Sequence, residues 1–336
     1  MNQVRALFLL ASVSVLAGCG GGSDSPAPPP PLSVIVPSPA PAPVAGPASF
    51  SRDNIQTLAS LGALTTLFTG SGDGPIFMTA ASTNFLLTDS TFTSGSSTDT
   101  FSCVINGQGA GSLAVTTTKS ATRIGYAVGD SVRLVYSNCR PGTSTVIRNG
   151  TINLTAQSAI SNLAATSNSL SYQAVATNFT AEITAADRST YNGMMNVTSQ
   201  TTSASAANSG FSIPTGQSYR VLYRGLTYTY LGGTTYRATA ATAPANFTRK
   251  LDGDVNLNLS STPGTTIGLT IQTPTALASI SSTFVAIAGT VATRDVLQNL
   301  ATSVTVNGTA ATVSGDTDRN GSLDLVFVTT WAALTQ

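Results

Sequence analysis

The sequence of 336 residues contains no histidine and few charged side chains. Lysine and arginine together number 15 and aspartate and glutamate 14, so the formal net charge is +1 and charged residues make up 9% of the chain. An ordinary globular protein carries about a quarter. Without histidine, imidazole zinc sites, Ser-His-Asp triads, Cys-His dyads and histidine pH switches are excluded. The balanced charge likewise excludes the basic surface that binds nucleic acid.

Lysine and glutamate are almost as scarce as histidine. Lys119 and Lys250 are the two lysines, and neither follows a serine by three positions, so a Ser-x-x-Lys acyl enzyme is excluded. The chain also contains no G-x-S-x-G nucleophile elbow and no P-loop. Acid–base chemistry would need paired carboxylates, and the candidate pairs are Glu182 with Asp187 and Asp252 with Asp254. Because acids beside turn residues are usually solvated, we expect a protein without enzymatic activity.

The first 19 residues have the organisation of a bacterial export signal. Arg5 precedes an apolar segment, residues 6–15, which is too short to span the roughly 30 Å of a bilayer. The segment leads into Leu16-Ala17-Gly18-Cys19, which resembles the lipobox of bacterial lipoprotein precursors. The resemblance implies a signal peptide over residues 1–18 and covalent lipid on Cys19. Because Gly20 rather than aspartate follows Cys19, the resemblance also implies an outer-membrane location. It does not assign the periplasmic or the surface-exposed face of that membrane.

Residues 19–49 have a composition that cannot bury a core. A glycine-rich start is followed by a proline-rich stretch that includes a run at residues 28–31. This composition predicts a flexible segment and then a semi-rigid polyproline II spacer. We therefore expect a lipid anchor on the membrane, a tether over residues 19–49, and an extracytoplasmic domain over residues 50–336.

Beyond residue 50, apolar and polar residues alternate in many short segments. The clearest are residues 112–116, 131–136, 151–155, 219–223 and 254–259, and alternation with β-branched residues is typical of a strand with one buried face. We predict an all-β domain of antiparallel meanders that form a sandwich or an elongated twisted sheet. Residues 51–59 and 293–301 match each other, and each begins with a hydroxyl residue followed by an acid. Each segment predicts a single short helix.

Asn-Gly and Asp-Gly dipeptides recur along the chain, among them those at residues 106–107, 149–150, 192–193, 252–253 and 307–308. Both residues of such a dipeptide tolerate positive φ, which predicts type I′ hairpin turns. Similar strand sequences follow those at residues 149–150, 192–193 and 252–253. We interpret this similarity as a degenerate repeat of a small meander unit, with chance resemblance in a Ser/Thr/Asn-rich chain as the alternative.

Two cysteines, Cys103 and Cys139, remain once Cys19 carries lipid. In an exported chain they predict a disulfide that closes a loop of about 37 residues. Their wide separation differs from the C-x-x-C spacing of redox sites, so we expect a structural bridge.

A cluster of oxygen-bearing side chains lies near the C-terminus, in residues 316–324. Candidate calcium ligands occupy loop positions 1, 3, 5, 7 and 9, with a glycine for the turn: Asp316, Asp318, Asn320, the carbonyl of Ser322, and Asp324. Position 12, glutamate in an EF-hand, is Phe327, so the loop is more similar to the calcium-carrying hairpin loops of integrin-type repeats. We expect weak Ca²⁺ binding, at about 10⁻⁴–10⁻³ M. The alternative is a turn built from good turn formers.

These features together predict an outer-membrane lipoprotein that acts as a non-enzymatic binding or structural module. Its partners would be the membrane and an envelope or surface protein or a glycan, with no nucleic acid. One alternative is a carrier that holds an apolar ligand in a curved sheet, which needs a large apolar concavity. A carboxylate-based hydrolase is the other, and it needs carboxylates clustered in a cleft.

Overall fold

The computed structural model describes residues 51–70, 74–75, 94–105, 107–121, 125–159, 168–185, 187–203, 206–241, 248–261, 266–280 and 285–335. The predicted signal peptide, Cys19 and the tether lie outside the described residues. The described elements follow one another in this order: α1 (Arg52–Thr69), β1 (Gly95–Ser102), β2 (Gly109–Lys119), β3 (Ser131–Pro141), β4 (Ile147–Ala156), β5 (Asn168–Glu182), β6 (Arg188–Ser203), β7 (Ala206–Ser212), β8 (Ser218–Tyr223), β9 (Leu226–Leu231), β10 (Thr235–Ala241), β11 (Thr248–Ser261), β12 (Thr266–Ile280), β13 (Val285–Asp295), β14 (Leu300–Asn307), β15 (Ala310–Gly315), β16 (Leu325–Thr330) and α2 (Trp331–Leu334).

All sixteen strands belong to one antiparallel sheet, which confirms the all-β antiparallel class. Neighbours in the sheet are also neighbours in the chain, except around the two long strands β6 and β11. The first half of β6 pairs with β8 and its second half with β7, while β11 pairs with β10 and then with β9. The sheet therefore divides between β6 and β11 into two ribbons, β7–β10 and β8–β9, which we call the branch.

One face of the sheet carries the core. On β3, for example, Val132, Leu134 and Tyr136 are buried, as the alternating sequence predicts. Tyrosine is the characteristic large residue of this inner face, because eight of the nine tyrosines are buried: Tyr126, Tyr136, Tyr172, Tyr191, Tyr219, Tyr228, Tyr230 and Tyr236. The inner face thus combines apolar rings with hydroxyl groups that need hydrogen-bond partners.

Helix α1 packs on the inner face against β13, β14 and β15. The predicted N-terminus is confirmed, since Ser51 and Asn54 form a reciprocal capping box, but the helix extends ten residues beyond the predicted end to Thr69. Its last turn meets the buried tyrosines, where Thr69 Oγ1 lies 2.9 Å from the hydroxyl of Tyr230. Burial of one helix face, rather than the first-turn signal alone, therefore sets its length.

The helix predicted for residues 293–301 is wrong. Strand β13 ends at Asp295, a turn follows, and β14 begins at Leu300. The Asp295 Oδ1 atom accepts hydrogen bonds from the backbone N–H groups of Leu297 at 2.9 Å and Gln298 at 3.1 Å. A hydroxyl residue and an acid can cap a turn as well as a helix, and here antiparallel pairing with β14 satisfies the backbone instead.

A turn joins β14 to β15 at Gly308, but Asn307 is the last residue of β14 and pairs with Ala310, so the turn lies one residue later than predicted. Gly107 also lies in a turn. The turn prediction is wrong for the dipeptides at residues 149–150, 192–193 and 252–253, which lie inside β4, β6 and β11. The ladders shift register beside each of the three. These dipeptides therefore lie opposite β-bulges, whose extra residues are in the facing strands β3 and β5 for residues 149–150, β5 for residues 192–193, and β12 for residues 252–253. A glycine is needed at each position because a Cβ there would collide with the backbone of a neighbouring strand.

Two of these bulges repeat the same construction 43 residues apart. Gly150 has φ +96° and Gly193 has φ +113°. The preceding asparagine side chains accept hydrogen bonds from the preceding strand: Asn149 Oδ1 from the N–H of Asn138 at 2.6 Å, and Asn192 Oδ1 from that of Asn178 at 2.7 Å. The sequence similarity between these segments thus corresponds to a repeated bulge in the strand pairs β3–β4 and β5–β6.

The predicted disulfide is present between Cys103 and Cys139, with Cα atoms 5.5 Å apart. It joins the segment after β1 to β3, and both cysteines are buried.

Candidate functional site

The predicted calcium ligands all lie in the loop between β15 and β16. Asp316 is 2% exposed, and its Oδ2 atom accepts a hydrogen bond from the N–H of Gly321 at 2.8 Å. Its Oδ1 atom is buried and has no hydrogen-bond partner within the described part of the chain. Asp316 therefore closes the loop from inside and keeps one carboxylate oxygen available.

The other acids of this loop accept hydrogen bonds from residues within the loop. Asp318 accepts hydrogen bonds from the N–H and the side-chain amide of Asn320, at 3.1 and 2.8 Å. Asp324 accepts from the N–H and hydroxyl of Thr317, at 2.9 and 2.7 Å, and these bonds lower the pKa of its carboxyl. Nowhere in the described residues do three acidic or cysteine side chains converge as a metal site would require. The structure brings the predicted ligands into one loop, and calcium binding there stays a prediction.

The first candidate carboxylate pair sits at the hairpin between β5 and β6. Glu182 forms an ion pair with Arg188 at 3.7 Å, and Asp187 forms another with Arg224. Both acids therefore face arginines on the protein surface rather than each other.

The second candidate pair lies in the middle of β11, on the outer face of the sheet. Asp254 accepts a hydrogen bond from the side-chain amide of Gln272 on β12, at 3.1 Å. Asp252 instead lines an open depression of about 200 Å³. The structure thus separates the environments of two acids that the sequence places two residues apart.

The depression lies at the branch, where β6, β7, β10 and β11 run side by side. One row of directly paired residues crosses these strands: Thr198, Gly210, Arg237 and Asp252. The next row contributes Asn196, Ser212 and Thr235. Gly210 and Gly253 leave room at its floor, because each lies against the backbone of β10 and carries no side chain. We call this set of residues the branch depression.

The branch depression is polar and electrically balanced. Arg237 and Asp252 are direct cross-strand partners and both are exposed, yet they form no ion pair with each other in the described structure. The guanidinium offers several donors, the carboxylate offers acceptors, and Asn196 offers both. The arrangement can hydrogen-bond a neutral, polyhydroxylated ligand without a net charge to attract ions.

The sequence singles out Asp252 as one of a carboxylate pair, but it does not single out its neighbours Arg237 and Gly210. Nothing in the sequence reveals which residues of β7, β10 and β11 stand in one row. No helix in the described ranges is long and apolar enough to cross a membrane. The chain matches no protein family, no curated protein and no solved structure.

Proposed function

We propose that this protein is a lipid-anchored, non-enzymatic binding module of the bacterial envelope, and that the branch depression binds a neutral glycan. The observation that carries the proposal is the balanced row of Arg237 and Asp252 beside the glycine floor. Sugars are recognised through hydroxyl groups that donate and accept at once, which a neighbouring donor and acceptor match. A volume near 200 Å³ suits one sugar unit better than the roughly 300–1,000 Å³ occupied by drug-sized ligands.

The test is a glycan array probed with residues 50–336, followed by calorimetric titration of each glycan that binds. Arg237→Ala and Asp252→Ala should each weaken binding about 10-fold or more, since hydrogen bonds to charged groups contribute about 1.5–3 kcal/mol. Arg220→Ala is the matched control, because Arg220 is exposed on β8 in the other ribbon of the branch. Absence of any glycan binding, or equal losses in all three variants, would contradict the proposal.

The lipid anchor is supported by the lipobox at residues 16–19 and by the proline-rich stretch that follows it. Two or more acyl chains hold a protein stably on a membrane, whereas one holds it marginally. Radiolabelled palmitate should enter the wild-type protein in cells and should not enter a Cys19→Ser variant. Equal labelling of both proteins would remove the anchor from the proposal.

The carrier alternative receives less support from the inner face. Its aromatic rings contact one another, as Phe68 does with Tyr228 at 4.2 Å and Phe211 with Tyr236 at 5.8 Å between ring centroids. Rings packed at these distances fill the space that an apolar ligand would need.

A further inference from the structure

Arg148 is a charged residue on the inner face of the sheet. It lies on β4 between Cys139 of β3 and Ala181 of β5, and its exposed fraction is 4%. Within the described part of the chain it forms no ion pair and no hydrogen bond with another residue. A buried charge in a folded protein is ordinarily paired and hydrogen-bonded, so the Arg148 guanidinium needs an explanation.

The other buried cation of the core contacts an aromatic ring. Lys119 Nζ lies 4.5 Å from the centroid of the Tyr126 ring, over its face. Arg148 has no such contact with a ring face in the described structure. Among the described residues, Arg148 therefore has neither an aromatic face nor a counter-charge beside it.

Two buried tyrosines, Tyr136 and Tyr191, lie near the Arg148 guanidinium. The rings of Tyr136, Phe179 and Tyr191 form a row, with centroids 5.3 and 5.7 Å apart. Burial lowers the pKa of Arg148, and the neighbouring Tyr136 and Tyr191 oppose that shift. Tyr219 lies near Tyr191, and its buried hydroxyl has no hydrogen-bond partner in the described structure. One cation and several phenol donors thus share a site on the inner face where the described residues provide no anion.

We propose that Arg148 anchors a small-oxyanion site on the inner face of the sheet, with the hydroxyl of Tyr136 as an additional donor. The planar guanidinium matches the oxygens of a carboxylate or a phosphate with two parallel hydrogen bonds. The 4% exposure of Arg148 restricts the ligand to a small anion, or to the anionic end of a larger molecule. The bound anion supplies the counter-charge that the described residues do not provide there.

The test is the melting temperature of residues 50–336 in Tris chloride as sodium phosphate or sodium acetate is added at constant ionic strength. We expect the wild-type melting temperature to rise by about 3 °C and to saturate, as it does when a ligand binds only the folded state. Calorimetric titration should then give one site per chain. A response to phosphate alone assigns a tetrahedral oxyanion, and a response to acetate alone assigns a carboxylate.

Two variants make the result specific. Arg148→Met should abolish the saturating rise and should melt in chloride at or above the wild-type temperature, because an apolar side chain replaces an uncompensated buried charge. Arg140→Met is the control, since Arg140 is exposed on the neighbouring strand β3, and it should respond as the wild type does. Phosphate and acetate also stabilise proteins without binding, by being excluded from their surfaces. Equal slopes in wild type and Arg148→Met, or no saturating rise with either anion, would overturn the proposal.

Discussion

Removal of the Cys103–Cys139 disulfide should cost a stability that follows from the length of the loop it closes. The cysteines are 36 residues apart in sequence. For a loop of that length, the chain-entropy relation gives about 13 cal/mol/K, or about 4 kcal/mol at 25 °C. We therefore expect a Cys103→Ala/Cys139→Ala variant to unfold with a free energy about 4 kcal/mol lower than the wild type, and to melt about 6 °C lower.

Urea unfolding followed by circular dichroism measures this difference. The wild type unfolded in urea and then treated with reductant should refold with the variant's midpoint, since both chains lack the cross-link. The slope of the free energy with urea should rise in the variant, because its unfolded chain exposes more surface. A free-energy difference under about 1 kcal/mol would refute the entropy argument for this bridge. It would mean that the unfolded chain already holds these segments together.

Three further measurements test other parts of the structure. Gly193→Ala should lower the free energy of unfolding in urea by about 3 kcal/mol, because a Cβ there would collide with the carbonyl of Ser218. Gly308→Ala, at a turn with open space, should lower it by about 1 kcal/mol. Equal losses in the two variants would contradict the close approach at the bulge. Burial raises the pKa of the phenols of Tyr219 and Tyr230 well above 10.0, so above pH 10 the folded chain keeps protons that the unfolded chain loses. The stability that these two phenols contribute should therefore be constant below pH 10 and fall above it. Absorbance at about 295 nm, a wavelength at which tyrosinate absorbs, should show that these phenols do not ionise near pH 10 until the chain unfolds; full ionisation of the folded protein near pH 10 would be inconsistent with their burial. For the loop between β15 and β16, calorimetry with millimolar Ca²⁺ should give binding heat that an Asp316→Ala/Asp318→Ala variant lacks; identical heats and melting temperatures would reduce the loop to a turn.

The comparison of sequence and structure is clearest in the three interior Asn-Gly and Asp-Gly dipeptides. The dipeptides, and the 43-residue spacing between residues 149–150 and 192–193, are evident in the sequence. The same residues suit a turn and a bulge, because glycine relieves backbone constraints in both. The distinction depends on whether the flanking segments pair with each other or with other strands.

Residues 293–301 likewise show that a local helix pattern does not determine the structure that a segment adopts. Their pattern is nearly that of residues 51–59, but only residues 51–59 belong to a helix and its cap. Helix α1 continues with buried positions such as Leu58 and Ala63 that pack on the sheet, while residues 296–299 have a strand on either side. The helix propensity of nine residues contributes little stability compared with the pairing of two complete strands.

Features that depend on near neighbours in the chain were predictable from the sequence alone. Alternation identified the strands and their buried faces, the capping residues located the start of α1, and the isolation of two cysteines indicated the disulfide. Which residues share a row across strands could not be predicted, because register depends on pairings between distant segments in the folded protein. Those pairings place Arg237 opposite Asp252 at the branch depression, and they place Arg148 near buried phenols with no acid beside it among the described residues.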